Sequence, residues 1–393
     1  MIGRRTLLIG GGASAAALVG VGWRAWDRGV GAAGEGPAYE PWRDWEGSSE
    51  DALRPVRAAI LAANPHDTQP WIFAVDPNAV EVFADRARNL GSFDPFRREM
   101  HLGLGAAIEN LSIAARALGF TASVTAAQGR LALSPAAAPF RAARVALRPS
   151  QSDRNALYGA IPFRHTNRGP YRPDVVISPG ALEWFTDLAS GADVRVAFVI
   201  DPGARRDLSA LIVEATRRIA DDPDMSADSA RWFRAGRRDI EAHRDGVTLD
   251  AAGLSPTMTA LAKLMPDMSA KWNDAYWLSM TRDVELPTAP ALGIVFVRDR
   301  LDMPGAIAAG RAWQRLHLAA TAQGLAAQPL NQPVERADRD AALGRPDTFG
   351  GALAAFAPTS GWEATFVFRL GLSDRPAPPS PRRALAEVTR LVA

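Results

Sequence analysis

The run from Gly105 to Gly119 recurs without a gap 205 positions later, as Gly310 to Gly324, and this duplication limits the possible folds of the chain more than any other feature. Gly105/Gly310, Ala107/Ala312, Leu111/Leu316, Ala114/Ala319, Ala115/Ala320, Ala117/Ala322 and Gly119/Gly324 are identities, as is Ala122/Ala327 just beyond. Positions 108, 111, 115 and 118 fall on one helical face, and Gly119 stands where a helix would end. Each copy therefore predicts a helix whose small residues let two backbones approach closely. Strand candidates accompany the copies: 143–148 near the first, 291–297 and 364–370 around the second, and 193–200 opening the second half. Helices with antiparallel-type strands predict an α+β fold in two related halves, residues 52–155 and 156–393, divided where Pro149-Ser150-Gln151-Ser152 breaks the pattern. The segment 204–283 fits neither half. It opens with a helix from Arg205 to Asp221 and carries Trp232, Phe233, Trp272, Tyr276 and Trp277, which are either core or part of a lid.

Composition excludes several chemistries. The 393 residues include no cysteine, so disulfides, thiol nucleophiles, iron–sulfur clusters and cysteine zinc sites are out. His66, His101, His165, His243 and His317 form no H-E-x-x-H or other close pairing, and no G-x-S-x-G elbow marks a hydrolase. The net charge is only +2 and the arginines are scattered among acids, so no nucleic-acid partner is expected.

The first 35 residues predict an export signal or anchor. Arg4-Arg5 precedes Thr6-Leu7-Leu8-Ile9 and a small-residue apolar run to Trp23, which resembles a twin-arginine signal. That implies the Tat translocation machinery as a partner and a periplasmic location. Gly31-Ala32-Ala33-Gly34 is a candidate cleavage region; the alternative is an uncleaved anchor, the one expected membrane contact. Gly10-Gly11-Gly12-Ala13-Ser14-Ala15 fits a dinucleotide-binding spacing, but a strand before it would begin almost at the terminus, so the signal reading is preferred. Residues 36–51, without periodicity, read as a linker.

Four segments carry candidate chemistry: Asn64-Pro65-His66-Asp67-Thr68-Gln69-Pro70-Trp71, Arg164-His165-Thr166-Asn167-Arg168-Gly169-Pro170-Tyr171, Gln328-Pro329-Leu330-Asn331-Gln332 and Pro381-Arg382-Arg383. The second and fourth supply four guanidinium groups, whose planar forks suit a phosphate monoester. The first and third offer polar side chains and proline-shaped backbone suited to the edge of a flat heterocycle. A flavin needs both.

In this order the segments resemble the motifs of nitroreductase-family flavoproteins, including single-chain mycobacterial FMN-binding members, over roughly residues 52 to 392. In homodimeric relatives one subunit gives the asparagine-to-Q-P-W segment and the other gives the R-x-S/T-x-R/K segment, the central proline-containing strand end and the basic pair. The resemblance thus implies a fused dimer that acts as a monomer. It implies one FMN per chain, since neither Q-P-W nor R-x-T-x-R recurs. Arg164, His165, Thr166, Arg168, Arg382 and Arg383 would bind the phosphate and ribityl end. Asn64, Pro65, His66, Asp67, Pro329, Leu330, Asn331 and Gln332 would frame the isoalloxazine. The flavin would carry the chemistry, with no catalytic side chain and no metal; NAD(P)H would be the electron donor and a small molecule the acceptor. Asp67 stands where the family has asparagine, and Asn331 where many relatives have glutamate. The rival expectation is a non-catalytic flavin-sequestering envelope protein whose insertion excludes NAD(P)H.

Overall fold

The computed structural model describes residues 20–47 and 53–391. Arg4-Arg5 and most of the apolar run after it lie outside the described residues.

The described strands are β1 (Trp71–Asp76), β2 (Ala79–Ala84), β3 (Phe120–Ala126), β4 (Phe140–Pro149), β5 (Arg195–Val199), β6 (Phe233–Arg234), β7 (Val247–Thr248), β8 (Ala291–Val297), β9 (Ala326–Pro329), β10 (Glu363–Gly371) and β11 (Thr389–Leu391). The helices that matter below are α1 (Arg54–Ala59), α2 (Arg98–Ala117), α3 (Pro202–Ala220), α4 (Pro256–Leu264), α5 (Met303–Ala322) and α6 (Gln332–Ala342). One sheet runs β11-β1-β2-β4-β3 and another β5-β8-β10-β9, with β6 and β7 forming a small parallel pair. Leaving β11 aside, the two large sheets have the same order and the same antiparallel sense throughout. The strands expected at 143–148, 193–200, 291–297 and 364–370 are β4, β5, β8 and β10.

The duplicated helices are α2 and α5, whose first and last residues are matched at the same 205-residue offset. Each ends before a glycine in the left-handed region, Gly119 at φ 85 and Gly324 at φ 73, where a side chain would be strained. The helices cross at their matched glycines. A methyl group on Gly105 would lie 3.0 Å from the Gly310 Cα, and one on Gly310 would overlap the carbonyl of Leu102, 2.7 Å from its carbon. The contacts are reciprocal: Gly105 faces the Ile307 carbonyl and Gly310 faces that of Leu102, and Ile307 is the repeat partner of Leu102. Such i-to-j and j-to-i pairing is the signature of a two-fold relation.

Polar pairs repeat the rule. Glu109 takes Arg315 Nε at 2.8 Å, and Gln314, the partner of Glu109, donates to Asn110, the partner of Arg315, at 2.8 Å. Arg311 adds a second bond to Glu109 at 2.9 Å. Burial pushes the Glu109 carboxyl up, but Arg315 and Arg311 outweigh it and hold it below 4.5. It is buried with each of its two oxygens accepting from a guanidinium.

The insertion sits at one defined place. Between β1 and β2 the chain turns at Pro77-Asn78; between the equivalent β5 and β8 it runs from Ile200 to Pro290. Asp201 caps α3 by accepting from the Ala204 N–H at 2.8 Å, with Pro202 at the first helical position. Leu208 and Ile212 of α3 then pack with Leu292, Ile294 and Phe296 of β8 and Val334 of α6, so the start of the insertion is core. Further on, the insertion reaches the first half, where Met225 and Trp232 pack with Leu90 and Phe93.

After β10 the chain crosses back, and β11 pairs in parallel with β1, Phe73 opposite Thr389. This return brings residues 381–383 against the turn before β1.

A buried cationic site between the two halves

Residues 64–69 form a turn that only a tight hydrogen-bond frame can hold. His66, Asp67 and Gln69 are non-glycine residues in the left-handed region, at φ 48, 53 and 48. Each costs roughly 1–3 kcal/mol and persists where the surroundings over-determine it. Asn64 Oδ1 accepts from the Gln69 N–H at 2.7 Å, and the Asp67 carbonyl accepts from the Gly246 N–H at 3.1 Å. Gln69 donates to the carbonyls of Arg244 at 2.8 Å and Pro381 at 3.3 Å, and its Oε1 accepts from the Arg383 N–H at 2.8 Å. The first half, the insertion and the C-terminal return thus clamp one turn.

Beside it lie two guanidinium groups. Arg382 pairs with Asp67 at 2.6 Å and donates to the carbonyls of Ala62 at 3.1 Å and Leu61 at 3.5 Å. Arg164, 2% exposed, donates to the same Leu61 carbonyl at 3.1 Å, with Nδ1 of His317 at 3.4 Å. Carbonyls just past α1 suit cations. Trp42 roofs the pair: its ring lies 4.7 Å from Arg382 and 5.9 Å from Arg164, its edge meets His165 at 4.5 Å, and its indole N–H donates to the Ser380 carbonyl at 2.8 Å. Arg168 donates to the Ala251 carbonyl at 3.2 Å. Its charge helps lower His66, which burial takes to about 4.

The charges do not balance. Among the described residues Arg164 has no carboxylate at ion-pair distance, and the Nε atoms of Arg164 and Arg382 have no hydrogen-bond partner. Burial, then the charge of Arg382, lowers Arg164 to about 9; burial, then Arg164 and Arg382, lower His165 to about 3. Burial raises Asp67 from 3.8 to about 6 against the pull of Arg382 and Asn64. Charge without a counter-charge in a dry site calls for an anion.

The third segment occupies a neighbouring position. Pro329 ends β9 opposite Phe368, the Leu330 N–H donates to the Val367 carbonyl at 2.8 Å, and Asn331 accepts from the Val367 N–H at 3.2 Å. Asn331 also donates to Glu99 in the first turn of α2, and Gly103 one turn on faces Pro65 and Asn64. The end of α2 therefore links the 64–67 turn to the 329–332 segment. Gln332 is buried with its Oε1 unpaired. Thr166 is half-buried between Arg164 and Arg168. The Arg383 guanidinium donates to the Gln69 carbonyl at 3.4 Å and reaches on to Glu387 at 3.6 Å and Asp85 at 3.9 Å, so it lies on the outer side of the turn and is paired with acids.

Several participants escaped the sequence reading. Trp42 lies in the segment read as a linker. Glu99 and Glu335 lie buried against one another next to Asn331, and burial, reinforced on Glu335 by the neighbouring Glu99 charge, pushes both carboxyls up. Glu285 accepts from Gln328 at 2.6 Å, and Gln328 in turn accepts from Arg369 at 2.7 Å. A tryptophan in a stretch without periodicity was the only available signal; carboxylates outside a motif gave none.

No family model matches the sequence. Over 341 residues the chain is 30% identical to "Putative NAD(P)H nitroreductase Rv3131" of Mycobacterium tuberculosis H37Rv, a match that covers 84% of this chain and 88% of that protein. It is 36% identical to "Putative NAD(P)H nitroreductase acg" of the same organism over 69 residues, 18% of this chain and 21% of the relative. Among solved structures, one similar to it is the FMN-dependent nitroreductase NfnB from Mycobacterium smegmatis in complex with NADPH, at 18% identity and a TM-score of 0.38, over 61% of this chain and 98% of that one.

Proposed function

The chain belongs to the nitroreductase family, and from that premise we propose that it is an FMN-dependent oxidoreductase that binds one FMN and passes electrons from NAD(P)H to a small molecule. The observation that carries this reading is the buried, uncompensated charge of Arg164 beside Arg382, with both Nε atoms unpaired. The donor set fits a phosphate monoester, because guanidinium groups offer paired N–H donors and, among the described residues, Asp67 is the one carboxylate in direct contact with Arg164 or Arg382. Arg164, Arg168 and Arg382 would hold the phosphate, with His165 and Thr166 alongside; residues 64–67 and 329–332 would frame the ring. When bound, the flavin supplies the hydride chemistry. The chain supplies position and exclusion of water: the clamped 64–69 turn is rigid, and the insertion closes over it through Ser229 to His66 at 2.8 Å and through Arg244 and Gly246. We read the insertion from Pro223 onward as this cover.

The reciprocal contacts of α2 and α5 support descent from a fused homodimer, and Arg4-Arg5 with its apolar run supports export to the cell envelope. A second reading has its own support. The same cover would let a sequestering protein hold FMN away from NAD(P)H. The test is the anaerobic visible spectrum of the purified chain supplied with FMN, before and after NADPH. A protein-bound flavin band that bleaches is the expected result; a band that persists favours sequestration, and no bound flavin overturns the family-based assignment.

Asp67 gives a pH signature. Its folded pKa of about 6 exceeds its ordinary 3.8, so between these values the native state holds more protons than the unfolded chain, and stability falls as pH rises. The loss is complete above about pH 6 and is at most about 3 kcal/mol. Denaturant titrations at several pH values should show the wild-type stability falling relative to that of Asp67→Asn between pH ~4 and ~6. A constant difference would mean that Asp67 stays ionised throughout.

A further inference from the structure

Helix α4 is inside out. It buries Lys263, 5% exposed, which donates to the Gly29 carbonyl at 2.9 Å and to Asp250 at 2.8 Å. It turns Met258 and Leu261 to solvent, Leu261 at 52%. Exposed Met265 and Met268 follow, and then Trp272, 70% exposed. Against the same edge lies the helical stretch 20–27: Arg24 donates to the Leu264 carbonyl at 2.8 Å and Arg28 pairs with Asp267 at 2.7 Å. Val21, Trp23 and Trp26 on that stretch are exposed as well. Two stretches held together by Arg24 and Arg28 thus both expose apolar side chains, tryptophans on one and methionines and a leucine on the other, while the charged groups beneath are satisfied. Single exposed apolar residues are ordinary; a contiguous patch marks an interaction surface.

The geometry points to a lipid bilayer surface as the occupant. The chain preceding Gly20, with Leu7-Leu8-Ile9 and a run of small apolar residues after Arg4-Arg5, joins the fold at this face. Any insertion of that run into a membrane brings the patch to the membrane–water boundary. The composition suits that boundary, where tryptophan rings sit at headgroup depth and amphipathic helices lay an apolar face into the lipid. Lys271, exposed beside Trp272, adds a cation toward anionic headgroups. Among the described residues no helix is long and apolar enough to cross a membrane, so the contact is a docking surface. It belongs to the insertion and the 20–30 segment, and it does not depend on the flavin assignment.

Because the chain has no cysteine, a single introduced one carries an unambiguous label. Full-length Leu261→Cys bearing an environment-sensitive fluorophore is compared with Leu133→Cys, which is exposed on the loop between β3 and β4. The probe is vesicles of mixed zwitterionic and anionic phospholipid containing spin-labelled lipid. The label at 261 should shift to shorter wavelength and be quenched, while the label at 133 stays aqueous. Met258→Ser with Leu261→Ser and Trp272→Ser should lower vesicle partitioning by roughly tenfold with the thermal transition unchanged. The proposal is overturned if the 261 label stays aqueous on vesicle-bound protein. It is equally overturned if that label is shielded without vesicles in a dilution-sensitive way, since a second copy would then cover the face.

Discussion

Replacing Arg164 by methionine should leave the protein folded and weaken FMN binding by about 2–5 kcal/mol, roughly thirtyfold to a few thousandfold. The two halves of this expectation have one cause. Arg164 is dehydrated, faces another arginine and has no carboxylate at ion-pair distance among the described residues, so in the free protein its charge is a cost. An apolar chain of similar length keeps the packing on Trp42 and gives up the bond to the Leu61 carbonyl. Replacing buried charge in this way is often neutral or stabilising by about 1–4 kcal/mol. A bound phosphate reverses the sign, because it turns the uncompensated cation into a charge-assisted pair. Equilibrium FMN titration and denaturant melts of the free protein read the two effects separately. If stability and FMN affinity fall together, Arg164 is a packing residue; if neither changes, the phosphate lies elsewhere.

The second large effect is expected at the helix crossing. Gly310→Ala should destabilise the fold by about 3 kcal/mol or more, enough to leave little soluble protein. The added methyl meets the backbone of Leu102, its carbonyl carbon at 2.7 Å and its Cα at 2.8 Å. Backbone cannot swing aside as a flexible side chain can, so α2 and α5 must separate, and with them the two cores they join. Gly180→Ala near the start of Pro179–Ala189 is the control, since nothing lies within 4 Å of its added methyl; it should be neutral. Urea titration of both variants decides. A Gly310→Ala protein of wild-type stability would show that the helices do not cross this closely.

What could be read from the chain was whatever its neighbours in sequence encode. The repeat announced α2 and α5 because helical period and small residues are local; β8 is a continuous apolar run, and β10 is apolar and β-branched around Thr365 and Arg369. β1 and β2 were missed: Trp71 figures only as the end of the first candidate segment, and the tight turn at Pro77-Asn78 was not singled out. β11 is three residues long and is a strand only because β1 lies beside it. The segments holding Arg164, Arg382 and Asn64 to Gln69 were recognisable as motifs. Trp42, Glu99 and Glu285 were not, since only the fold brings Trp42 to Ser380, Glu99 to Asn331 and Glu285 to Gln328. The helix in α3 was periodic enough to foresee; that it belongs to the core and not to a cover depended on the sheet beneath it.

The pairs at the helix crossing also work as an address code between the halves. Two first halves docked in the same geometry would set Glu109 against Asn110, stripping a buried carboxylate of its arginines. Two second halves would set Gln314 against Arg315 with no acid in reach. The first mismatch strands a fully buried carboxylate at a cost of several kcal/mol and the second leaves a half-buried guanidinium unpaired, whereas the native pairing of unlike halves gives each group a partner. The difference at these two positions makes each half the fitted partner of the other and not of a copy of itself. The halves therefore need not match elsewhere, and the long segment between β5 and β8 has no counterpart between β1 and β2.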